Sequence, residues 1–543
     1  MTSINSTDVA SQTTSMQEPL IRTESLGGSD LSRAARAGEL DAWYRAVPST
    51  PDAWRTYARE VAEGAPSGWL DALAPAISPS GAAADRLAKA ARGGLVVTTG
   101  QQPGLFGGAL MTFVKALSAR ALADELESVT GFPVAPVFWS ATDDADFDEA
   151  AVVSVLLDGG ARQLTLEQHA PAGTPMARVP IGAEVSALAE LLRASCGSAP
   201  SGSYLAMAVA AFREGATIGD AYTSLLREVL EPLGIAVLDI SHPAAARASQ
   251  PFLRRAAARA NEIERAVRVR DDEIRAASFT PQVDAVAGLS LVALNRDGTK
   301  RRLPLAEAAA MDRDVPSGDA FLSTTVLLRP VLERVLLPTA AYLGGPGEVA
   351  YFAQVSAVAD ALDVPRPLVL PRWSTTIVEP RIQHILNTFG VDVDAFADPH
   401  AVERRVSRAR VGAETEQAVA ALRRDLDADL DRLRTAAESL VSREVIDGVR
   451  RNIEHRIARL ERRLAAGVKR RDVDMMTELG TARGALYPHG VRQERKLAWI
   501  PMLARYGAPL VDRMIDAARV HARSLMSRQP ARPALSTSAP ARV

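Results

Sequence analysis

Leu95-Val-Val-Thr-Thr-Gly-Gln-Gln-Pro-Gly-Leu-Phe-Gly-Gly108 is the stretch that decides the fold. It opens on a short apolar, β-branched run, Leu95–Thr99, of the kind that forms a strand buried on both faces. A glycine-rich loop follows. In the next segment Leu110, Phe113, Val114, Leu117, Ala121 and Leu122 recur at helical spacing. Past Gly131 a second apolar run, Val134-Ala-Pro-Val-Phe-Trp-Ser140, completes a strand–loop–helix–strand order. That order is a βαβ unit, whose strands are parallel and buried. Ile235–Ile240, Ser290–Leu294 and Leu368–Leu370 repeat the theme. The fold class that follows is α/β: a Rossmann-like, doubly wound core with inserted connecting segments.

The last third reads differently. Leu422, Leu426, Leu430, Leu433, Ala437 and Leu440 are spaced by four and three residues, and Ile446, Val449, Ile453, Ile457, Leu460 and Leu464 continue the pattern beyond a break expected near Asp447-Gly448. Charges fill the positions between. This is the pattern of an antiparallel helical hairpin or coiled coil, whose seam buries against itself or a second copy, and a homodimer is expected. The organisation expected is a flexible N-terminus at 1–25, the α/β core at 26–385 and the helical hairpin at 386–475. A C-terminal segment at 476–523 packs back on the core, and a flexible tail occupies 524–543.

Composition narrows the function. The 543 residues are 47% hydrophobic and 24% charged, with a net charge of -2. Such a balance gives no electrostatic attraction to nucleic acid or to an anionic membrane. No run of about 18 apolar residues occurs, and the first 20 residues lack a charged stretch followed by an apolar one, so the cytoplasm is the expected compartment. Cys196 is the only cysteine, which excludes an intrachain disulfide, and its Ser/Gly/Pro-rich surroundings, Ala194–Pro200, read as a loop. The seven histidines show no metal-ligand spacing, and no metal site is expected.

Three stretches carry candidate chemistry. A glycine-rich loop between a buried strand and a helix aims free backbone N–H groups at an anion, with Gly100, Gly104, Gly107 and Gly108 permitting close approach. Gln101 and Gln102 add amide donors, and Lys115 adds a positive charge. The glycine spacing fits neither a Walker loop nor a dinucleotide fingerprint. Just past the second strand, Thr142-Asp-Asp-Ala-Asp-Phe-Asp-Glu149 crowds carboxylates where open α/β sheets hold ligands. Asp143, Asp144, Asp146 and Glu149 can bind Mg²⁺, hold an amine or move a proton there; a solvated, helix-capping loop is the alternative. A second glycine turn, Gly344-Gly-Pro-Gly-Glu348, leads into a helix with Gly345, Glu348 and Tyr351 toward a possible cleft, and Gln354 one turn on.

Taken in order, these motifs resemble the bacillithiol synthase (BshC-type) family. Thr99–Gly108 with Lys115, then Pro136-Val-Phe-Trp139 and Asp144-Ala-Asp-Phe147, resemble its opening. Thr280-Pro-Gln-Val283, Leu328-Arg-Pro330, Leu337-Pro-Thr339, Tyr342–Glu348 with Tyr351, Tyr487-Pro-His-Gly490, Gln493-Glu-Arg495 and Tyr506-Gly507 continue it over about residues 25–520. The resemblance implies a Rossmann-like core, a coiled coil used for dimerisation, and a ligase that joins cysteine to the amine of glucosaminyl-malate, the last step of bacillithiol biosynthesis. Forming that amide requires an activated carboxyl, most simply through ATP with Mg²⁺. Asp144, Asp146 and Lys115 would then be catalytic, while the two glycine turns, Trp139, Asp143, Glu149, Glu348 and Tyr351 would bind substrate. The chain departs from the family where the pattern Asp-His-Asp-Phe has Ala145 for histidine, and where Ala151-Val152 replace a later Asn-His. A second reading is therefore a catalytically degenerate relative that binds nucleotide or metabolite as a dimer.

Overall fold

The run read from Leu95 to Thr99 extends two residues further as β1 (Leu95–Gln101), and every residue but Gln101 is buried. In the computed structural model, which describes residues 18–284, 286–311, 320–398 and 400–527, β1 feeds α1 (Leu110–Thr130) and then β2 (Val134–Ser140), buried along its whole length. The expected flexible ends lie mostly outside the described residues. An antiparallel hairpin, β3 (Val152–Leu157) and β4 (Gly160–Thr165), follows β2. The chain then passes through α2 (Val185–Cys196) to β5 (Ala236–Asp239). Strands β6 (Leu289–Arg296), β7 (Thr299–Pro304) and β8 (Phe321–Thr324) come next, then α3 (Arg329–Leu336), β9 (Thr339–Gly344), α4 (Pro346–Ala361) and β10 (Val369–Pro371).

The central sheet has the order β10-β9-β1-β2-β5, and each neighbouring pair is parallel. On one face Val96, Ala135, Val137, Trp139, Ala236 and Leu238 join a single apolar cluster with Phe252, Leu253 and Phe352 from flanking helices. α1 packs against β1 and β2, and its own buried residues point all round because the long C-terminal helix covers its other side. Burial on both sides is why these strands read as continuous apolar runs. Chain order reverses at β1: β2 and β5 lie to one side, β9 and β10 to the other. A crevice opens at that switch, beyond the carboxyl ends of β1 and β9.

Several expectations shift. Ser290–Leu294 does not join the parallel sheet: β6 is the middle of a separate antiparallel sheet ordered β7-β6-β8. A buried run alone cannot choose its partners. The deciding signal is the two-residue turn Asp297-Gly298, both with positive φ (51° and 79°), which folds β7 directly back on β6. Cys196 is not in a loop but is the buried last residue of α2, its thiol bonded to the Leu192 carbonyl at 3.3 Å; the loop starts at Gly197, with φ 57°. The helical region Ile377–Leu486 forms a compact unit together with the described residues 18–22, starting before residue 386 and ending after 475, because the helices Pro380–Phe389 and Val473–Leu486 pack on each other inside it. Its hairpin is α5 (Ala413–Ala436) and α6 (Arg443–Arg471). The break falls before Ser442, whose extended backbone starts α6, and Asp447-Gly448 lies inside the helix. An exposed helical glycine costs only about 1 kcal/mol, too little to end a long helix.

The chain returns to the α/β unit at Tyr487, and the last described helix, α7 (Ile500–Met526), runs along α1. Trp499 stacks on Phe113 with ring centroids 5.2 Å apart and planes 9° from parallel.

Candidate active site

The loops after β1, β2 and β9 meet around a cavity of about 670 Å³. Gly100, Gln101, Gln102 and Lys115 reach it from the first loop and α1. Asp143, Asp144, Ala145, Asp146 and Glu149 come from the second loop, and Gly345, Glu348 and Tyr351 from the third. The three stretches singled out by composition and spacing therefore share one cleft at the switch point of the sheet.

Its floor is a buried ionic network. Lys115 is almost wholly enclosed. Its ammonium donates to the Gly100 carbonyl (2.8 Å) and to Gln101 Oε1 (2.9 Å), and pairs with Glu348 at 2.7 Å. Glu348, in the first turn of α4, also accepts from the Gly345 N–H (2.6 Å) and from the Tyr342 hydroxyl. Arg329, at the start of α3, donates to the hydroxyls of Tyr342 (3.1 Å) and Tyr351 (3.2 Å) and lies 4.0 Å from Glu348. Burial pulls the Lys115 ammonium below its ordinary value, against the restoring effect of Glu348. Burial would push Glu348 up, but Lys115 and Arg329 together hold it below the usual carboxylate range. Two cations face one firmly ionised carboxylate, so the floor suits a carboxylate or a developing oxyanion. Gly100 is required by close approach: a Cβ there would stand 2.7 Å from the Trp139 carbonyl oxygen and 3.3 Å from Arg329 Nη1.

The opposite wall is acidic. Asp143 is paired with Lys300 at 2.8 Å. Asp144 Oδ1 accepts from the Asp146 N–H (2.9 Å), and Asp146 caps the short helix Phe147–Ala150 by accepting from the Glu149 N–H at 3.1 Å. Burial pushes the Asp144 carboxyl up, and Asp143 and Asp146 beside it add to the rise. Burial does the same to Glu149, reinforced by Asp146 and Asp144. Two carboxyls with raised proton affinity facing a cationic floor form a pair suited to accepting a proton from an amine while the floor holds an acyl oxygen.

Five of the expected contacts lie elsewhere. Gly104, Gly107 and Gly108 are buried in packing and do not line the cleft. Gly107, with φ 88°, has Trp499 against it: a Cβ would meet the indole at 2.7 Å, and the indole N–H donates to the Gly107 carbonyl at 3.0 Å. The Leu110 N–H at the start of α1 is occupied by the Leu497 carbonyl (2.7 Å). The C-terminal segment thus covers the helix end where an anion was expected, and the cradle contracts to Gly100–Gln102. Trp139 points into the core cluster on the far face of the sheet. Gln354 is likewise buried, donating to Asp271 and to the Val283 carbonyl.

Residue pattern alone did not mark the basic side. Lys300 and Arg302 reach the cleft from β7, Arg329 from α3 and Arg495 from the C-terminal segment. Arg329 and Arg495 stand in family motifs, Leu328-Arg-Pro330 and Gln493-Glu-Arg495, which is the one signal for them. Nothing local marks Lys300 and Arg302, because tertiary packing alone brings the hairpin there. Among the described residues no group of three or more His, Cys, Asp and Glu is arranged to hold a metal ion.

Comparison with known proteins gives a consistent neighbourhood. Residues 70–373 match the family described as the N-terminal Rossmann-like domain of bacillithiol biosynthesis BshC. Residues 375–524 match its C-terminal coiled-coil domain. A protein named "Putative cysteine ligase BshC" from Solibacter usitatus (strain Ellin6076) is 32% identical over 462 residues, 81% of this chain and 85% of the relative. Its namesake from Koribacter versatilis (strain Ellin345) is 31% identical, over 79% of this chain and 82% of the relative. That from Symbiobacterium thermophilum is 30% identical, over 78% and 81%.

Proposed function

Since the chain belongs to the bacillithiol biosynthesis BshC family, we propose that it is a cysteine ligase, joining the carboxyl of cysteine to the amine of glucosaminyl-malate as the last step of bacillithiol assembly. The observation that carries this reading is the pairing, in one cleft, of an acidic wall with a buried cationic floor. Amide formation needs both: a base for the incoming ammonium and a positive site for the acyl oxygen. Asp144 and Glu149, with raised proton affinity, take up the amine proton. Lys115 and Arg329 stabilise negative charge on the acyl oxygen. Tyr351, held by Arg329, lines the pocket beside them.

A free carboxylate does not react with an amine; ATP would activate it by transferring a phosphoryl or adenylyl group to a carboxyl oxygen, which leaves as phosphate or AMP when the amine nitrogen attacks the carbon and gives up its proton. Arg302 and Arg495 line the cleft without a carboxylate partner among the described residues, which fits phosphate oxygens, as do the amides of Gln101 and Gln102. Mg²⁺ would enter with the nucleotide, held by its phosphate oxygens and not by a dedicated protein site. At the position of the family's histidine, Ala145 lines the cleft without an ionisable group, so the neighbouring carboxylates carry the proton transfer.

The same proposal places the protein in the cytoplasm as a homodimer. No helix among the described residues is long and apolar enough to cross a membrane. On the hairpin, Leu430, Ile446 and Ile457 are buried, whereas Leu422, Leu433, Val449 and Leu460 stay 43–49% exposed, a stripe that a second copy would cover. The loss of the histidine favours one competing reading, a degenerate relative that binds metabolites without reacting them.

Deleting the gene in its host and following both compounds by mass spectrometry separates the two. The ligase reading expects bacillithiol to fall and glucosaminyl-malate to accumulate. Unchanged levels of both overturn it.

A further inference from the structure

Behind the cleft floor sits a carboxyl that the proposed chemistry leaves unused. Glu333 lies one turn after Arg329 on α3 and is fully buried. Neither of its carboxylate oxygens receives a hydrogen bond of good geometry, although the otherwise unpartnered Thr98 hydroxyl faces it and favours its ionised form. Arg329 Nη1 approaches to 3.9 Å. Thr98 of β1, Lys115 of α1 and Glu348 of α4 also face it, and it in turn acts on the hydroxyls of Tyr342 and Tyr351. An ionised carboxylate in such a place is costly unless it is paired and hydrogen-bonded. Arg329, which would pair with it, already serves Glu348 and two tyrosines and also lines the cleft.

The charge count makes the consequence concrete. Lys115 and Arg329 contribute two positive charges and Glu348 one negative. With Glu333 neutral, the floor carries a net positive charge; with Glu333 ionised, that charge is cancelled from behind. We propose that Glu333 is a positioning residue of this site, whose carboxyl sets how much of the Arg329 charge is offered to an anionic ligand, so that ligand binding and proton uptake by Glu333 are coupled. Coupling of this kind is reciprocal: an anion on the floor raises the proton affinity of Glu333, and a proton on Glu333 raises the affinity for the anion. Burial holds the carboxyl near pKa 7, which puts the exchange at physiological pH. The coupling needs only an anion in the cleft, so it stands or falls apart from amide formation.

Infrared difference spectra of the full-length protein, recorded through neutrality with and without saturating L-malate, test it. The expected result is a protonated-carboxyl C=O band that titrates near neutral pH, is absent from Glu333→Gln, and moves to higher pH when L-malate is added. In parallel, L-malate affinity measured calorimetrically should weaken by up to about tenfold per pH unit above neutrality in the wild type and stay flat in Glu333→Gln. A carboxyl ionised throughout that range, or a band indifferent to L-malate, overturns the proposal. If Glu333→Gln does not fold, the wild-type titration still decides.

Discussion

Glu333 also makes a stability prediction with a definite sign. Its folded-state pKa is raised from the ordinary 4.5 to about 7 by burial, so between those values the folded protein binds a proton that the unfolded chain has released. The favourable contribution is whole below about pH 4.5 and is lost as pH rises to about 7. At about 1.4 kcal/mol per pH unit this amounts to roughly 3 kcal/mol. Glu333→Gln should therefore be more stable than the wild type at pH 8 and lose that advantage toward pH 5, which urea denaturation at both pH values checks. Single residues also mark what the sequence could and could not disclose about the site. Asp144 and Glu149 were legible as candidates because five carboxylates fall within seven residues just past a buried strand, although the same pattern also reads as a helix-capping loop, the part that Asp146 plays. Lys300 and Arg302 were not, since a basic residue on a strand carries no sign of what it will face.

At the scale of elements, the loop between β1 and α1 divides into two parts with different jobs. Gly100 faces the cleft beside Arg329, whereas Gly107 is clamped beneath Trp499. Gly100→Ala should push the Trp139 backbone and Arg329 apart and cut activity by at least about tenfold, a barrier increase of about 1.4 kcal/mol. Gly107→Ala combines a positive φ with a 2.7 Å approach to an indole. It should lower stability by about 1–3 kcal/mol while leaving substrate affinity of the folded fraction unchanged. Thermal denaturation alongside steady-state kinetics separates the two effects. The strand–loop–helix–strand order was readable because both faces of these strands are covered. β9, Thr339-Ala-Ala-Tyr-Leu-Gly344, gave no comparable signal, being short and poor in β-branched residues, although it forms one side of the cleft. The mispairing of β6 had a local cure in Asp297-Gly298, whose turn chemistry is specific where an apolar run is not.

For the whole molecule, the proposed homodimer puts the second copy on the exposed side of the helical hairpin. Within one chain the hairpin is tied by Arg450 to Asp427 (2.5 Å) and Asp431 (2.6 Å), and by Arg423 to Glu461 (3.4 Å). These partly exposed pairs set the register of α5 on α6 but add little stability individually. Leu433 and Leu460, 49% and 43% exposed, remain outside that seam. Replacing both with Glu should convert a dimer to a monomer in sedimentation velocity while the α/β unit keeps its fold by circular dichroism. A wild type that sediments as a monomer at micromolar concentration would contradict this. The seam spacing gave the hairpin but not which residues face outward, since a heptad pattern does not say whether one partner or two will cover it.

The proposed amide formation uses the carboxylates of the acidic wall as proton acceptors, without the histidine that Ala145 replaces. Its most direct test is the reconstituted reaction: purified full-length protein with cysteine, glucosaminyl-malate, ATP and Mg²⁺, and bacillithiol followed by mass spectrometry. ATP-dependent product is expected from the wild type, with a rate that rises with pH as the acidic wall ionises. Asp144→Asn should lower the rate by about 10²–10⁴-fold, the usual contribution of a positioned proton acceptor. No product from the wild type, or equal product from Asp144→Asn, would contradict it.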